Sequence, residues 1–300
     1  MWDLVGEGHP PELIPKWGLY MKLGIAQVAP VFGNVEANIS EMIHLMHMNK
    51  GKADLLVFPE LSLTGYNLKD GLYDVALTTD SKEIRRVCEA SKEIGMNVVF
   101  GFVEQGKGDQ IYNSAMMIKE GKVCSVQRKI YPTNYGIFEE GKYFSRGKKV
   151  QVEPIGSFTS SMLICNDLWH PSLPHIAAHH HTSLLIGLIN SPEGGLGSQY
   201  SSSEGWETVG KFYAGMYGCY VALVNRVGIE NEITFYGNSK VIDPYGRIIA
   251  QCPYGETSVQ LCEIDTSLVK EIRTLLPVIR DEDVHVTMRH YQEIAEQEFV

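Results

Sequence analysis

Along the chain, short apolar runs alternate with stretches in which apolar residues recur every three or four positions. The runs "KLGIAQVAP" (22–30), "DLLVF" (54–58), "NVVFGFVE" (97–104), "IYNSAMMI" (111–118) and "KVCSVQR" (122–128) predict strands. Between the first two, Val35, Ile39, Met42, Ile43 and Met46 form one apolar stripe, which predicts a helix over 34–49. A second helix is predicted to open near Asp80, with Glu83 in the capping-box position and Ile84, Val87, Cys88 and Ile94 on one face. The turns "QGKGDQ" and "KEGK" join the three strands of 97–128 into an antiparallel run inside an α/β alternation. The second half repeats this style. Strands are predicted at 158–165, 183–189 and 220–227, helices at 172–181 and 206–218, and a hairpin at 239–251 turning on Asp243-Pro244-Tyr245-Gly246. The pattern reads as one domain over 21–270. An extension, 1–20, precedes it, and a C-terminal arm with a helical tail, 271–300, follows.

Composition narrows the partners. A hydrophobic content of 44% over 300 residues is enough for a sizeable core. The net charge of −10, with no Lys/Arg-rich block, argues against nucleic acid or an anionic membrane as the main partner. Six cysteines are scattered without a CxxC pair, so no disulfide framework is expected. Residues 1–20 lack the basic start and apolar run of a signal peptide, and no stretch approaches the roughly 18 apolar residues of a membrane span. The expectation is a soluble, reduced, cytoplasmic protein.

Three strand ends carry reactive side chains. Glu60 follows "LLVF", Lys129 follows "KVCSVQR", and Cys165 follows "SSMLI". Strand ends are where α/β architectures usually build sites. Taken singly, each has an ordinary reading: a loop carboxylate, a solvated lysine, an inert core thiol. Together they suit one chemistry. A thiol needs a base or a cation to attack at neutral pH. A partly desolvated carboxylate can take its proton. An ammonium can stabilise the oxyanion formed when sulfur adds to a carbonyl or nitrile carbon.

The segments "FPELSLTGY", "RKIYPTNYGIFEEGKYFSRG" and "LICNDLWHP" resemble the three signature segments of the nitrilase (carbon–nitrogen hydrolase) superfamily. "YNSA" (112–115), "VNRVG" (224–228) and "YGNSKVIDPYGRII" (236–249) support the resemblance, which runs from Ile25 to Pro277. It implies an α/β (α+β) fold, a four-layer α-β-β-α sandwich of the nitrilase type. It also implies a Glu60–Lys129–Cys165 triad, with Glu140 as a second glutamate that positions substrate and lysine, and Asp167 supporting the nucleophile turn. The backbone N–H of Asn166 is expected to share the oxyanion with Lys129. Trp169 and Ser191 are expected to line the substrate pocket. Neither a cofactor nor a metal is implied, and a homodimer or higher homo-oligomer is.

The activity implied is that of a thiol amidohydrolase cleaving a non-peptide C–N bond of a small-molecule amide through a cysteine thioester. Its products are ammonia and a carboxylic acid. A nitrilase, an N-carbamoyl amine hydrolase and a catalytically silent assembly subunit are the alternatives. The lysine segment is most similar to the glutaminase half of glutamine-dependent NAD synthetases, yet no SGGxDS-type nucleotide loop follows, so the chain reads as a stand-alone hydrolase. A separate subunit that uses the ammonia stays open. His170 and Ser172 depart from the common pattern after the cysteine and bear on substrate choice. "HHH" (179–181) reads as a solvated or interface helix end rather than a metal site. "SPEGGLGSQYSSSEGW" (191–206) reads as a mobile loop over the active site, because it lacks the Lys-Ser/Thr ending of a phosphate loop.

Overall fold

A computed structural model describes residues 20–194, 197 and 199–297. The expected extension, apart from Tyr20, lies outside the described residues. The first half of the chain supplies β1 (Tyr20–Gln27), α1 (Val35–Met48), β2 (Leu55–Val57), α2 (Leu72–Val75), α3 (Lys82–Ile94), β3 (Asn97–Gln105), β4 (Ile111–Lys119) and β5 (Lys122–Arg128). The second supplies β6 (Val152–Ile155), β7 (Phe158–Ile164), α4 (Ser172–His179), β8 (Leu184–Ile189), α5 (Ser202–Tyr217) and β9 (Tyr220–Asn225). After these come β10 (Val227–Glu230), β11 (Ile233–Tyr236), β12 (Lys240–Ile242), β13 (Ile248–Gln251) and β14 (Ser258–Asp265). Helices α6 (Thr266–Leu275), α7 (Val278–Asp281) and α8 (Val284–Gln297) close the described chain.

The strands form two six-stranded sheets, in the orders β14-β1-β2-β3-β4-β5 and β13-β12-β9-β8-β7-β6, with β10 and β11 as a separate hairpin. Each sheet has three adjacent parallel strands at its centre, β1-β2-β3 and β7-β8-β9, flanked by antiparallel ones. Parallel strands covered on both faces must be apolar throughout, and β2 and β8 are buried at every residue. One apolar cluster lies between the sheets, where Leu23, Leu55 and Val99 meet Ile164, Ile186 and Ala222. The outer face of the first sheet packs under α1 and α3 through Ile39, Met42, Ile84 and Val87. The outer face of the second packs under α4 and α5 through Leu173, Ala178, Tyr213 and Ala214. This is the expected α-β-β-α sandwich.

Topology fixes where the reactive strand ends fall. Strand β5 follows two antiparallel steps from β3, so it runs in the direction of β2, and their C-terminal ends open on the same end of the sheet. Local boundaries differ from the sequence pattern in places. Ser81, not Asp80, caps α3 by accepting a hydrogen bond from the N–H of Ile84, while Asp80 accepts one from the Thr78 hydroxyl. Helix α5 starts four residues before the expected 206, because Ser201 caps it through the N–H of Glu204, and this shortens the loop expected over 191–206. Strand β14 escapes the apolar-run criterion because it is an edge strand with alternating exposure. Helix α6 runs through residue 270, where the pattern placed the end of the domain. Among the described residues no helix is long and apolar enough to cross a membrane.

Gly101 of β3 is the place where the fold and the strand-end loop meet most closely. A Cβ there would press on the backbone N of Leu61 and lie 2.7 Å from the Cα of Glu60, and backbone cannot step aside as a side chain can. Gly101→Ala is therefore expected to cost about 1–3 kcal/mol or more of stability, as overpacking does, and to displace Glu60. Denaturant melts check the first effect. A wild-type midpoint for the variant would contradict it.

Candidate active site

Glu60 owes its position to the way β2 ends. The N–H of Phe58 donates to Val99 O at 2.8 Å, and Pro59 O accepts from the N–H of Gly101 at 3.1 Å. The chain thus stays beside β3 until it turns at Leu61, which adopts φ +48°. The N–H of Leu63 then returns to Gly101 O at 3.2 Å. This detour leaves Glu60 only 1% exposed.

Lys129 emerges from β5 held on both sides, its N–H donating to Asn113 O at 2.8 Å and its carbonyl accepting from the N–H of Gly147 at 2.7 Å. Its ammonium, in a residue 1% exposed, bridges two carboxylates, with Nζ 2.8 Å from both Glu60 Oε1 and Glu140 Oε1. Asn113 Nδ2 also donates to Glu60 Oε1, at 2.7 Å. Glu140 is fixed in turn by the N–H of Thr133 at 2.9 Å and by a short hydrogen bond from the Tyr66 hydroxyl. Glu139 beside it is exposed, so Glu140 is the glutamate that meets the lysine. Tyr66 is itself held by Glu230 of β10, whose carboxylate accepts from the N–H groups of Tyr66 and Asn67 and pairs with the buried Arg226.

Cys165 opens a 3₁₀ turn, Cys165–Trp169, directly after β7. Its φ of +44° lies in the left-handed region, which costs a non-glycine residue of order 1–3 kcal/mol and is held only by its surroundings. Asp167 supplies much of that holding. Its Oδ1 accepts from the N–H groups of Ile130 at 3.0 Å and Tyr131 at 2.9 Å, and its Oδ2 from the N–H of Ile164 at 3.3 Å. One buried carboxylate thereby ties the turn of Cys165 to the two residues after Lys129. Burial pushes its carboxyl up to about 7 against the pull of those N–H groups and of Lys129.

The electrostatics follow from burial and charge count. Burial pushes the Cys165 thiol well above the ordinary cysteine range, and the negative charge of Glu60 adds to this while Lys129 opposes it. Burial also raises Glu60, partly offset by Lys129. Burial alone would lower Lys129, but the two carboxylates outweigh it and hold the ammonium well above the usual lysine value. At neutral pH the cluster therefore keeps a charged lysine beside a protonated thiol.

A small cavity of about 30 Å³ opens at the cysteine, walled by Thr133, Tyr135, Asn190, Ser191, Trp169 and Trp206, among others. Trp169 stands at its edge against Trp206, with ring centroids 4.8 Å apart. Ser191 lines it as the sequence suggested. The side chain of Asn166 does not: its Nδ2 donates to Tyr131 O and its Oδ1 accepts from the Tyr135 hydroxyl, so only its backbone is free to serve a substrate. Asn190 and Thr133, which no sequence motif singles out, also line the cavity. Among the described residues the buried atoms Glu60 Oε2, Asn113 Oδ1, Thr133 Oγ1, Asn190 Nδ2 and Asn190 Oδ1 have no hydrogen-bond partner. Native interiors leave few such groups, and Asn190 and Thr133 both face the cavity of Cys165. The signal for Asn190 was available, since it is the first polar residue after the apolar β8.

Two stacked sheets between helix layers, with a thiol and a Glu–Lys–Glu cluster at their strand ends, define a nitrilase-superfamily architecture. The chain belongs to the carbon-nitrogen hydrolase family, whose model matches residues 22–274. It is 29% identical over 265 residues to a glutamine-dependent NAD(+) synthetase of Thermotoga maritima, covering 85% of this chain but 44% of that protein. The chain thus spans under half the length of that relative. It is 29% identical over 252 residues to a 2-oxoglutaramate amidase of Bacillus subtilis, covering 83% of this chain and 93% of the relative. The crystal structure of a carbon-nitrogen hydrolase from Helicobacter pylori G27 superposes with a TM-score of 0.79 at 22% identity, over 89% of this chain and 97% of that one.

The charge pattern makes a signed prediction. Glu60→Gln removes a negative charge that holds the thiol up while leaving Lys129, which pulls it down. The pH midpoint for alkylation of Cys165 is therefore expected to fall in the variant. Rates of iodoacetamide labelling against pH, read by mass spectrometry of the Cys165 peptide, measure it. An unchanged or higher midpoint would mean that the thiol does not sense Glu60.

Proposed function

We propose that the chain is a thiol amidohydrolase in which Cys165 attacks the carbonyl carbon of a small amide. Glu60 takes the thiol proton as sulfur bonds to carbon, and the carbonyl electrons become an oxyanion beside Lys129 Nζ and the backbone N–H of Asn166. Collapse breaks the C–N bond, with Glu60 passing its proton to the departing ammonia. Water, deprotonated by Glu60, then hydrolyses the thioester to the acid and restores the thiol. Glu140 positions Lys129 and completes the charge balance. The observation that carries this reading is the unpartnered, buried Glu60 Oε2 in a carboxylate whose other oxygen is fully engaged by Lys129 and Asn113. A carboxyl raised by burial, with one oxygen free, is equipped to receive a proton.

The substrate class we infer is a small linear or dicarboxylic monoamide. Both amide atoms of Asn190 lack protein partners, as suits a side chain that reads an amide or a carboxylate. The Bacillus subtilis amidase and the NAD synthetase relatives, proteins named for an oxo-acid amide and for glutamine, support the same choice. A cytoplasmic homodimer or larger homo-oligomer remains part of this proposal.

Ammonia release from a panel of monoamides, nitriles and ureido acids tests the reaction class. Turnover is expected with the monoamides, and Cys165→Ala is expected to lower it by roughly ten-thousand-fold or more, as loss of a nucleophile does. Ammonia from nitriles or ureido acids alone would replace the amide reading. No turnover and no thioester would sink the enzymatic one.

Asn190→Ala is expected to lower kcat/KM about tenfold, the worth of roughly one hydrogen bond, with the melting temperature unchanged because the side chain has no protein partner to lose. Unaltered kinetics would remove Asn190 from the substrate contacts.

A further inference from the structure

A second cluster of chemistry-bearing side chains lies on the outer layer. His175 and His179 are four residues apart on α4, so their rings share one helix face. Glu282, the residue that follows α7, brings its carboxylate to the same point. The two imidazole Nε2 atoms are 3.2 Å apart, His175 Nε2 is 3.1 Å from Glu282 Oε1, and His179 Nε2 is 3.4 Å from Glu282 Oε2.

We propose that His175, His179 and Glu282 bind a Zn²⁺-class divalent cation that ties the C-terminal segment to α4. Zinc bonds to imidazole nitrogen and carboxylate oxygen of about 2.0–2.1 Å require neighbouring donors in a tetrahedron to stand about 3.3 Å apart, and the two imidazole nitrogens, 3.2 Å apart, meet that spacing. The carboxylate meets each imidazole through a different oxygen, and one donor atom from each of the three residues lies within 4.8 Å of the others, so a small rotation of the Glu282 carboxylate brings one oxygen to the ion. The donor set, two imidazoles and one carboxylate, is one that zinc accepts. The side chains are each 24% exposed, which leaves an entry path and a fourth position open to water. Glu282 also has an outer partner, the Thr287 hydroxyl, which donates to Oε1 at 3.3 Å and helps to orient the ligand. The expected "HHH" motif contributes only its first residue. His180 and His181 are exposed, and the true partner of His179 lies one turn earlier.

The site's role is structural. Glu282 lies beyond residue 274, outside the stretch that the family model matches, so the cation would secure residues beyond that stretch. Ile279 of α7 packs against the cluster under α5, but beyond Glu282 no residue of α8 is buried, so the cation would add a fixed point where apolar attachment ends.

The test uses the full chain, freed of metal by a chelator and dialysed. Titration with ZnCl₂ by calorimetry is expected to show one ion per chain at this site and a rise in melting temperature. Glu282→Gln and the double variant His175→Ala/His179→Ala are expected to bind at least about 100-fold more weakly, the upper figure for losing even an outer partner. Each variant's melting temperature in chelator is its own baseline, and neither should rise above it on adding zinc. Co²⁺ should give the visible bands of a tetrahedral site without a thiolate charge-transfer band. Wild-type affinity in the variants, a thiolate band in the cobalt spectrum, or no binding by the wild type would each overturn the proposal.

Discussion

Everything in the site depends on one buried ammonium. Placing a charged amine in an interior costs several kcal/mol, repaid only if its protons find good acceptors. Lys129 meets two carboxylate oxygens at 2.8 Å. The third proton of the ammonium has no partner among the described residues. Buried ion pairs of this kind are often no more stabilising than well-packed apolar residues of the same volume. The sequence nevertheless places all three charges where two sheets have ample apolar alternatives. In the proposed reaction that third proton is the one that meets the substrate oxyanion.

Holding that cluster requires distant segments to agree. The loop after β2 brings Glu60, the exit of β5 brings Lys129, and the turn after β7 brings Cys165. Asp167 joins the last two by accepting N–H groups from both sides of the junction. A parallel set of contacts stabilises Glu140 from behind, where Arg226 and Glu230 fix the backbone of Tyr66 and Tyr66 donates to the carboxylate. In each case a buried charged side chain caps backbone N–H groups that the sheets cannot satisfy.

These features were unequally legible in the sequence. The central strands announced themselves as apolar runs, because a strand covered on both faces has no polar side to show. Glu60 and Cys165 stood out because each follows such a run, whereas Lys129 stood out only by its place at the end of the half-exposed β5. The edge strand β14 and the hairpin β10-β11 were not visible, since half-exposed strands carry no apolar run and their pairing is set by the opposite strand. Nor was the commitment of Asn166 to Tyr131 and Tyr135, which depends on how a turn and a loop meet in space. The histidine cluster was half legible. Adjacent histidines drew the eye, whereas the helical spacing of His175 and His179 and the arrival of Glu282 from more than a hundred residues away required coordinates.

A thiol held protonated by burial and by Glu60 bears on the proposed chemistry. A cysteine activated as a thiolate beside a cation needs no base at the moment of attack, but burial and Glu60 hold Cys165 above the range where that state is populated. In the proposed reaction the proton therefore leaves as the sulfur–carbon bond forms. In the proposed step it passes to Glu60, and the charge Glu60 gives up reappears on the substrate oxygen. Before and after, the cluster holds one ammonium and two negative charges. What changes is only where one of those charges sits relative to Lys129, which touches Glu60 at the start and faces the oxyanion at the end. Because no net charge is created in the low-dielectric interior and the ammonium is already oriented by Glu140, the step demands little reorganisation of the protein. The second glutamate is what makes this exchange possible. Without Glu140, Lys129 would lose its fixed partner each time Glu60 was neutralised, and the ammonium would be left buried with the substrate alone to hold it.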